Sequence, residues 1–300
     1  MPDAEVRPCP ACGSGDSRTV GEAGEFSMQS CHSCGTVFTA RLPTAAESTN
    51  YALYYHDANL EVPPFVRRRL AQLVSAFDAD RRLNRWLDVG CGAGTLMEAA
   101  RGRGWEVTGT EVAERAAAAM RDKGFDVRSG ELEQLDLPEA SFDVVSSMEV
   151  VEHVPDVNAL LGESRRLLRP GGALYLTTPH GRGISARLLG MGWSVVDPPE
   201  HLQLLSTPGL RAALAHSGLA VRSLRTEAVN PTELLRSMRQ RGRGTPPRAM
   251  RPGARVESAY RLNESLSSNR AGAAAKRAAN AVLSATRLGD TLKLVAERPS

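Results

Sequence analysis

Trp86-Leu87-Asp88-Val89-Gly90-Cys91-Gly92-Ala93-Gly94-Thr95 is the stretch whose reading decides the fold. Trp86, Leu87 and Val89 read as a short buried strand, the glycines at 90, 92 and 94 as a tight turn, and Leu96 to Arg101 resumes with helical periodicity. The unit is strand, glycine loop, helix. Glycines let backbone N–H groups approach a ligand without Cβ interference, and the helix N-terminus that follows favours anionic groups. The loop is therefore expected to hold a nucleotide-like cofactor. A dinucleotide fingerprint reads G-x-G-x-x-G, whereas Thr95 takes its last glycine position here and the pattern is G-x-G-x-G behind Asp88, which argues against NAD or FAD.

The 300 residues are enough for a full α/β domain plus additions, and 42% hydrophobic residues can bury an ordinary core. No apolar run reaches the roughly 18 residues of a membrane span, and Pro8, Cys9 and Pro10 stand where a secretory apolar region would lie. The expectation is a cytoplasmic chain with no transmembrane segment. The net charge of +3 hides an asymmetry: residues 230–300 hold 14 Lys+Arg against 5 Asp+Glu, and residues 1–229 hold 23 against 29.

Four of the five cysteines form two matching knuckles, Cys9-Pro10-Ala11-Cys12-Gly13 and Cys31-His32-Ser33-Cys34-Gly35. Each C-x-x-C-G places two thiolates on one turn and supplies a glycine for the positive φ that follows. Two such turns make a tetrahedral shell for zinc, preferred over iron because nothing else in the chain suggests redox work. With the shell filled by thiolates, His32 is expected to face solvent, and the site to be a structural staple for a ribbon over residues 1–42. Arg7, Arg18 and Arg41 are scattered among Asp16, Glu22 and Glu25, so no basic stripe for nucleic acid forms.

A linker and N-terminal helix are expected over 43–80: Tyr51, Tyr54 and Tyr55 either close over a cofactor or pack into core, and Val62 to Phe77 has helical spacing with a solvated face at Arg67-Arg68-Arg69. Beyond the glycine loop, strand and helix alternate through Glu106–Thr110, Val112–Lys123, Phe125–Arg128, Phe142–Ser147, Val157–Leu168 and Ala173–Thr178. Such alternation predicts right-handed crossovers and a mostly parallel sheet, with the ligand crevice beyond the carboxyl ends of its strands. Glu111 ends the second strand, 17 residues after Gly94, where an acid can take both hydroxyls of a ribose.

Leu87 to Thr95, Glu111, Gly130-Glu131-Leu132-Glu133, Ser141-Phe142-Asp143-Val144-Val145 and Leu168-Arg169-Pro170-Gly171-Gly172 together resemble, in order and spacing, the class I S-adenosylmethionine-dependent methyltransferases. The resemblance covers roughly residues 85 to 226. It implies an α/β, Rossmann-like seven-stranded sheet, mostly parallel with an antiparallel last strand, beside the small zinc ribbon. It also implies S-adenosylmethionine as cofactor: Asp88, Gly90, Gly92 and Gly94 around the methionine moiety, Glu111 on the ribose, Glu131 and the Leu132 backbone at the adenine, and Met148 in the cofactor site. Glu131 stands where many members have Asp. Because a sulfonium methyl is already activated, such an enzyme must align a nucleophile and exclude water, and needs a base only when the acceptor must lose a proton.

Met148-Glu149-Val150-Val151-Glu152-His153-Val154 follows the fourth strand, and Pro198-Pro199-Glu200-His201 comes later. Glu149 and Glu152 are expected on one face of a helical turn, with His153 next to it. E-x-x-E-H with a downstream His is similar to the divalent-metal site of small-RNA 2′-O-methyltransferases and to quinone-precursor O-methyltransferases, so Glu149, Glu152, His153 and His201 are candidates for Mg²⁺ or another divalent cation. Alternatively the turn only orients a helix, and His201 supported by Glu200, or His153, serves as general base. Gly192-Trp193, Glu200-His201 and Ser206-Thr207-Pro208 look like the acceptor-covering segment of bacterial zinc-ribbon methyltransferases of glycan and secondary-metabolite modification. Trp193 can equally be a core anchor.

Leu219–Thr226 and Thr291–Ala296 read as the sixth and seventh strands of a core over 81–229 completed by 289–300. The insertion 230–288 between them carries Arg236, Arg239, Arg241, Arg243, Arg248, Arg251 and Arg255, then a helical stretch, Ala271–Arg287. No aromatic residue interleaves those arginines, so nucleic acid has no stacking platform; a basic linker or an anionic-acceptor contact remain. The expected activity is methyl transfer, to an oxygen of a small molecule or glycan acceptor, anionic in one version. A nucleotide-sugar C-methyltransferase and a non-catalytic zinc-ribbon scaffold are the alternatives.

Overall fold

The computed structural model describes residues 6–48, 64–235 and 270–300. The tyrosine cluster and the arginines from 236 to 255 lie outside the described residues.

In chain order, β1 (Ser17–Ala23), β2 (Phe26–Cys31) and β3 (Val37–Thr39) precede α1 (Pro64–Ser75), β4 (Arg85–Val89), α2 (Thr95–Gly102) and β5 (Glu106–Glu111). Then come α3 (Glu114–Asp122), β6 (Asp126–Ser129), β7 (Phe142–Met148), α4 (Val157–Leu167) and β8 (Leu168–Pro179). The chain ends with α5 (Ile184–Leu189), β9 (Gln203–Leu204), α6 (Thr207–His216), β10 (Ala220–Glu227), α7 (Arg270–Thr286) and β11 (Thr291–Glu297). Among the described residues no helix is long and apolar enough to cross a membrane.

Seven strands form one sheet in the order β10-β11-β8-β7-β4-β5-β6. The pairs β4/β5, β4/β7, β5/β6 and β7/β8 are parallel. β11 runs antiparallel to β8, with Arg298 on Gly171 and Gly172 at one end and Asp290 on His180 at the other. The expected α/β architecture with an antiparallel last strand is present. A second, four-stranded sheet has the order β1-β2-β3-β9.

β8 is longer than the Ala173–Thr178 expected, because Leu168 to Gly172 is extended and pairs Leu168 with Phe142 across a register shift. An ion pair on buried Asp143 pins the shift: half-buried Arg169 donates from Nε to Asp143 Oδ1 at 2.5 Å. Gly172 permits it, since a Cβ there would lie 2.9 Å from the Arg169 carbonyl.

Two compact units make up the chain: Met1–Ser48, Thr178–Ala212 and Leu224–Lys293 in one, Thr49–Thr177, Ala213–Ser223 and Leu294–Ser300 in the other. In the larger-sheet unit Trp86 anchors the core on one side of the sheet. Phe77 and Trp105 meet its ring edge-to-face at 5.4 and 5.3 Å, and Trp86 Nε1 donates to Ser146 Oγ at 2.8 Å. α1 buries Leu70 and Val74 against this core and leaves Arg67, Arg68 and Arg69 exposed, as the spacing predicted. α4 begins at Val157 because Asp156 Oδ1 accepts from Asn158 and Ala159 N–H at 2.9 and 3.0 Å, a cap contributing about 1 kcal/mol.

In the unit containing the cysteines, the knuckle hairpin takes its fourth strand from far along the chain. Val37 pairs Leu204 and Phe38 pairs Gln203, and Arg7 binds the Thr39 and Leu202 carbonyls at 2.8 and 3.0 Å. α7 is held there by Thr226 Oγ1 donating to the Leu283 carbonyl at 2.8 Å and by Ala228 N–H donating to Asn280 Oδ1 at 3.1 Å.

Candidate functional site

The glycine turn leaves β4 with three left-handed residues in alternation, φ being +65° at Gly90, +49° at Gly92 and +68° at Gly94. A Cβ at Gly90 would sit 2.6 Å from Val150 Cγ2, and one at Gly94 would overlap Met120 Sδ at 1.7 Å. Only glycine gives this backbone path together with this close packing. Gly94 then opens α2 without a side-chain cap, so the first-turn amides meet the loop as an anion-favouring end.

Two buried carboxylates frame the loop. Asp88 Oδ1 accepts from the Ser146 hydroxyl at 2.7 Å, and Ser146 Oγ also accepts from Trp86 Nε1. Burial pushes Asp88 up to about 7, with Ser146 pulling down and the Glu111 charge pushing further up. Glu111 closes β5 and spends both oxygens on backbone: Oε2 accepts from Gly92 N–H and Oε1 from Ala113 N–H, each at 2.9 Å. Burial raises it, and those amides draw it back down. Cys91 is buried and its thiol is raised by burial, then by Asp88 and Glu111, so it behaves as a small apolar side chain.

Further along the same edge, Glu131 precedes a short 3₁₀ turn and accepts from Gln134 Nε2 at 2.7 Å, while Leu132 is buried. Met148 ends β7, half-buried against the Trp86 core. Asp88, the glycines, Glu111, Glu131, Leu132 and Met148 thus gather at the carboxyl ends of β4, β5, β6 and β7, four adjacent strands. The glycine cradle with its uncapped helix start favours an anionic group and the buried acids a cationic one, so this edge fits a cofactor that carries both.

The four cysteines come together, with all Sγ atoms within 4.8 Å of one another and Cys9–Cys34 and Cys12–Cys31 at 3.6 Å. A tetrahedron of Zn–S bonds has edges of roughly 3.8 Å, so the cluster fits zinc. The Cys9 thiol and then Thr36 lower the Cys34 thiol against the effect of burial, while the same contact with Cys34, together with burial, raises Cys9. His32 is exposed beside the cluster.

The E-x-x-E-H segment is not the helical turn expected. Glu149 lies at φ +55° and donates its N–H to the Thr177 carbonyl at 2.8 Å, and only residues 151–153 turn, with His153 N–H on the Val150 carbonyl at 2.9 Å. A left-handed residue cannot continue a helix, so Glu149 and Glu152 lose their shared face. Glu152 is buried, with Oε1 3.9 Å from His153 Nε2.

His201 and Glu200 lie in the unit containing the cysteines, where both backbone amides donate to the Asp197 carbonyl. His201 Nδ1 sits 2.6 Å from the Val195 carbonyl. A carbonyl only accepts, so the proton is on Nδ1 and the neutral ring's basic nitrogen is Nε2. Trp193 is buried with Leu189, Val195 and Leu204 as a core anchor.

Sequence reading missed His180. It follows β8, buried, with Nδ1 2.9 Å from the Gly289 carbonyl and Nε2 3.5 Å from Thr207 Oγ1. Burial pushes it down to about 4, and the charges of Arg187 and Arg182 push the same way. Nearby, Ser185 donates both N–H and hydroxyl to Asp290, at 2.9 and 2.6 Å. No motif announces these residues, because the partners of His180 Nδ1 and of Ser185 are 105 or more positions away.

The methyltransferase-domain family profile matches residues 63–224, more than half of the chain. The chain belongs to that family. As a methyltransferase it is 34% identical over 185 residues to a ubiquinone biosynthesis O-methyltransferase of Paramagnetospirillum magneticum, covering 56% of this chain and 73% of that one. With the Idiomarina loihiensis enzyme of the same name it shares 35% identity over 133 residues, 40% of this chain and 54% of the relative, so only about half of that relative is spanned. Among solved structures, the S-adenosylmethionine-dependent methyltransferase of Archaeoglobus fulgidus superposes with a TM-score of 0.52 at 15% identity, covering 83% of this chain and all of that one. The methyltransferase in complex with the Haloferax volcanii Trm112 activator gives 0.54 at 17% identity, covering 84% and 98%. At these identities the structures share the fold. The protein is an S-adenosylmethionine-dependent methyltransferase.

Proposed function

We propose that this methyltransferase transfers a methyl group to a hydroxyl oxygen of a small molecule. The observation that carries the reading is the 34% identity across 73% of a relative named as an O-methyltransferase. Asp88, Gly90, Gly92, Gly94, Glu111, Glu131, Leu132 and Met148 would hold S-adenosylmethionine, which when bound supplies a methyl group already activated by its sulfonium.

This chain's residues then have two tasks, orientation and proton removal. The backbone of the glycine turn, braced by Glu111 through the Gly92 amide, fixes the cradle, so little ordering remains when ligand binds. His201 is the proposed base: the Val195 carbonyl holds its proton on Nδ1, which leaves Nε2 to accept a hydroxyl proton. Glu200 is the neighbouring acid that would stabilise the imidazolium, and His153 beside buried Glu152 is the alternative base. Zinc on Cys9, Cys12, Cys31 and Cys34 would be structural, since four thiolates leave no open position.

Two measurements test this. S-adenosylhomocysteine should bind saturably by calorimetry, and isotopically labelled methyl groups should enter an alkali-stable ether of a metabolite detected by mass spectrometry. Label found on carbon or nitrogen overturns O-methylation while leaving the methyltransferase assignment standing. Activity that survives exhaustive chelation with the Cys₄ zinc retained rules out a catalytic Mg²⁺ or other divalent cation on Glu149, Glu152, His153 and His201.

A further inference from the structure

In the unit containing the cysteines, a cavity of about 370 Å³ lies between the knuckle sheet and the chain following β8. Its volume falls within the range of small-molecule sites. Three guanidinium side chains border it: Arg18 from β1, Arg182 from the turn before α5, and Arg187 from α5 itself. Trp193, Val196 and Leu204 supply an apolar wall, and neither Asp nor Glu lines the cavity.

Local packing sets the arginines in place. Gly35, the last residue of the second knuckle, has φ +75°, and a Cβ there would lie 2.5 Å from Arg182 Nη1. The knuckle glycine thus makes room for the Arg182 side chain as well as turning the chain. Arg187 Nε donates to the Arg182 carbonyl at 2.9 Å, which ties the two residues together. Among the described residues none of the three guanidiniums has a carboxylate within ion-pair distance. Three like charges beside one cavity repel each other until an anion arrives.

The geometry points to a binding site for a phosphate monoester with an apolar body, distinct from the cofactor residues on β4 to β7. Arginine forks match phosphate oxygens bidentately, and a phosphate ester carries close to two negative charges where a carboxylate carries one. Inorganic phosphate would leave the Trp193–Val196–Leu204 wall uncovered. A neutral apolar molecule would leave the guanidiniums unanswered.

Calorimetric titration of the full chain with 1-naphthyl phosphate, inorganic phosphate, 1-naphthoate and 1-naphthol tests both halves. 1-Naphthyl phosphate should bind about tenfold or more tightly than each of the other three, and its affinity should fall as salt rises. Arg182→Gln with Arg187→Gln should weaken it about tenfold or more. Arg18→Gln, on an exposed strand position remote in sequence from α5, should weaken it independently. Thermal melting and zinc content establish that each variant is folded. Absence of saturable binding by the wild type overturns the site, as does unchanged affinity in both folded variants. Equal affinity for inorganic phosphate overturns the apolar half, and equal affinity for 1-naphthoate overturns the choice of phosphate over carboxylate.

Discussion

Gly92 donates its amide hydrogen to Glu111 Oε2 over 2.9 Å, joining the turn after β4 to the end of β5 through a buried carboxylate. The acid expected only to meet a ribose also shapes the loop. Its other oxygen takes the Ala113 amide.

Glu111→Ala strands two backbone donors, so it should destabilise the fold by about 2–4 kcal/mol in urea melts. S-adenosylhomocysteine affinity should fall at least about tenfold. Glu111→Gln keeps an acceptor oxygen and should lose less of both. A fully stable Glu111→Ala chain would contradict the bracing role.

Asp88 carries a pH signature. Burial raises it to about 7, so between its unfolded value near 3.8 and pH 7 the folded chain keeps a proton that the unfolded chain has released. Its contribution is most favourable at low pH and declines as pH rises to about 7. Asp88→Asn removes that decline while keeping an oxygen for the Ser146 hydroxyl. The variant's stability relative to wild type should rise with pH by up to about 1.4 kcal/mol per unit, then level off above pH 7. A pH-independent difference between the two melts would refute it.

Zinc removal should be felt beyond the knuckles. Ser206 donates to the Cys34 carbonyl at 2.5 Å, and a Cβ at Gly209 would lie 2.2 Å from Thr36 Oγ1, so the metal turn and residues 202–209 are packed as one piece. Chelation, or Cys34→Ser, should raise hydrogen exchange in residues 202–209 together with 9–39. Protection lost only at the knuckles would mean that β9 holds its place without them.

His201→Ala should lower kcat by about 10²–10⁴ with S-adenosylhomocysteine affinity nearly intact. The acidic limb of the pH–rate profile should disappear with it. Parallel losses of affinity and turnover would mark His201 as structural. His180→Gln, by contrast, removes a buried neutral ring and should act chiefly on stability.

Much of the larger sheet was legible because its signals are local. Trp86, Leu87 and Val89 run directly into Gly90, Gly92 and Gly94 within ten residues, and a parallel sheet needs apolar strands alternating with helices, a pattern readable in order. Glu149 shows where that reading fails: i, i+3 spacing suggested a helical face, but the extended run of β7 and a bond to Thr177 placed the residue at positive φ. Spacing reports a possible face only if the backbone is helical.

By itself, the sequence determined the glycine turn, the cysteine set and a mostly parallel sheet, since each rests on glycine stereochemistry, thiolate chemistry or period within a short window. Only tertiary structure decided that β9 completes the knuckle sheet, that Gly35 makes room for Arg182, and that His180 and Asp290 are buried close to one another in sequence-distant company. Those contacts join residues more than 100 positions apart. Their energy depends on packing and desolvation, which no local pattern encodes.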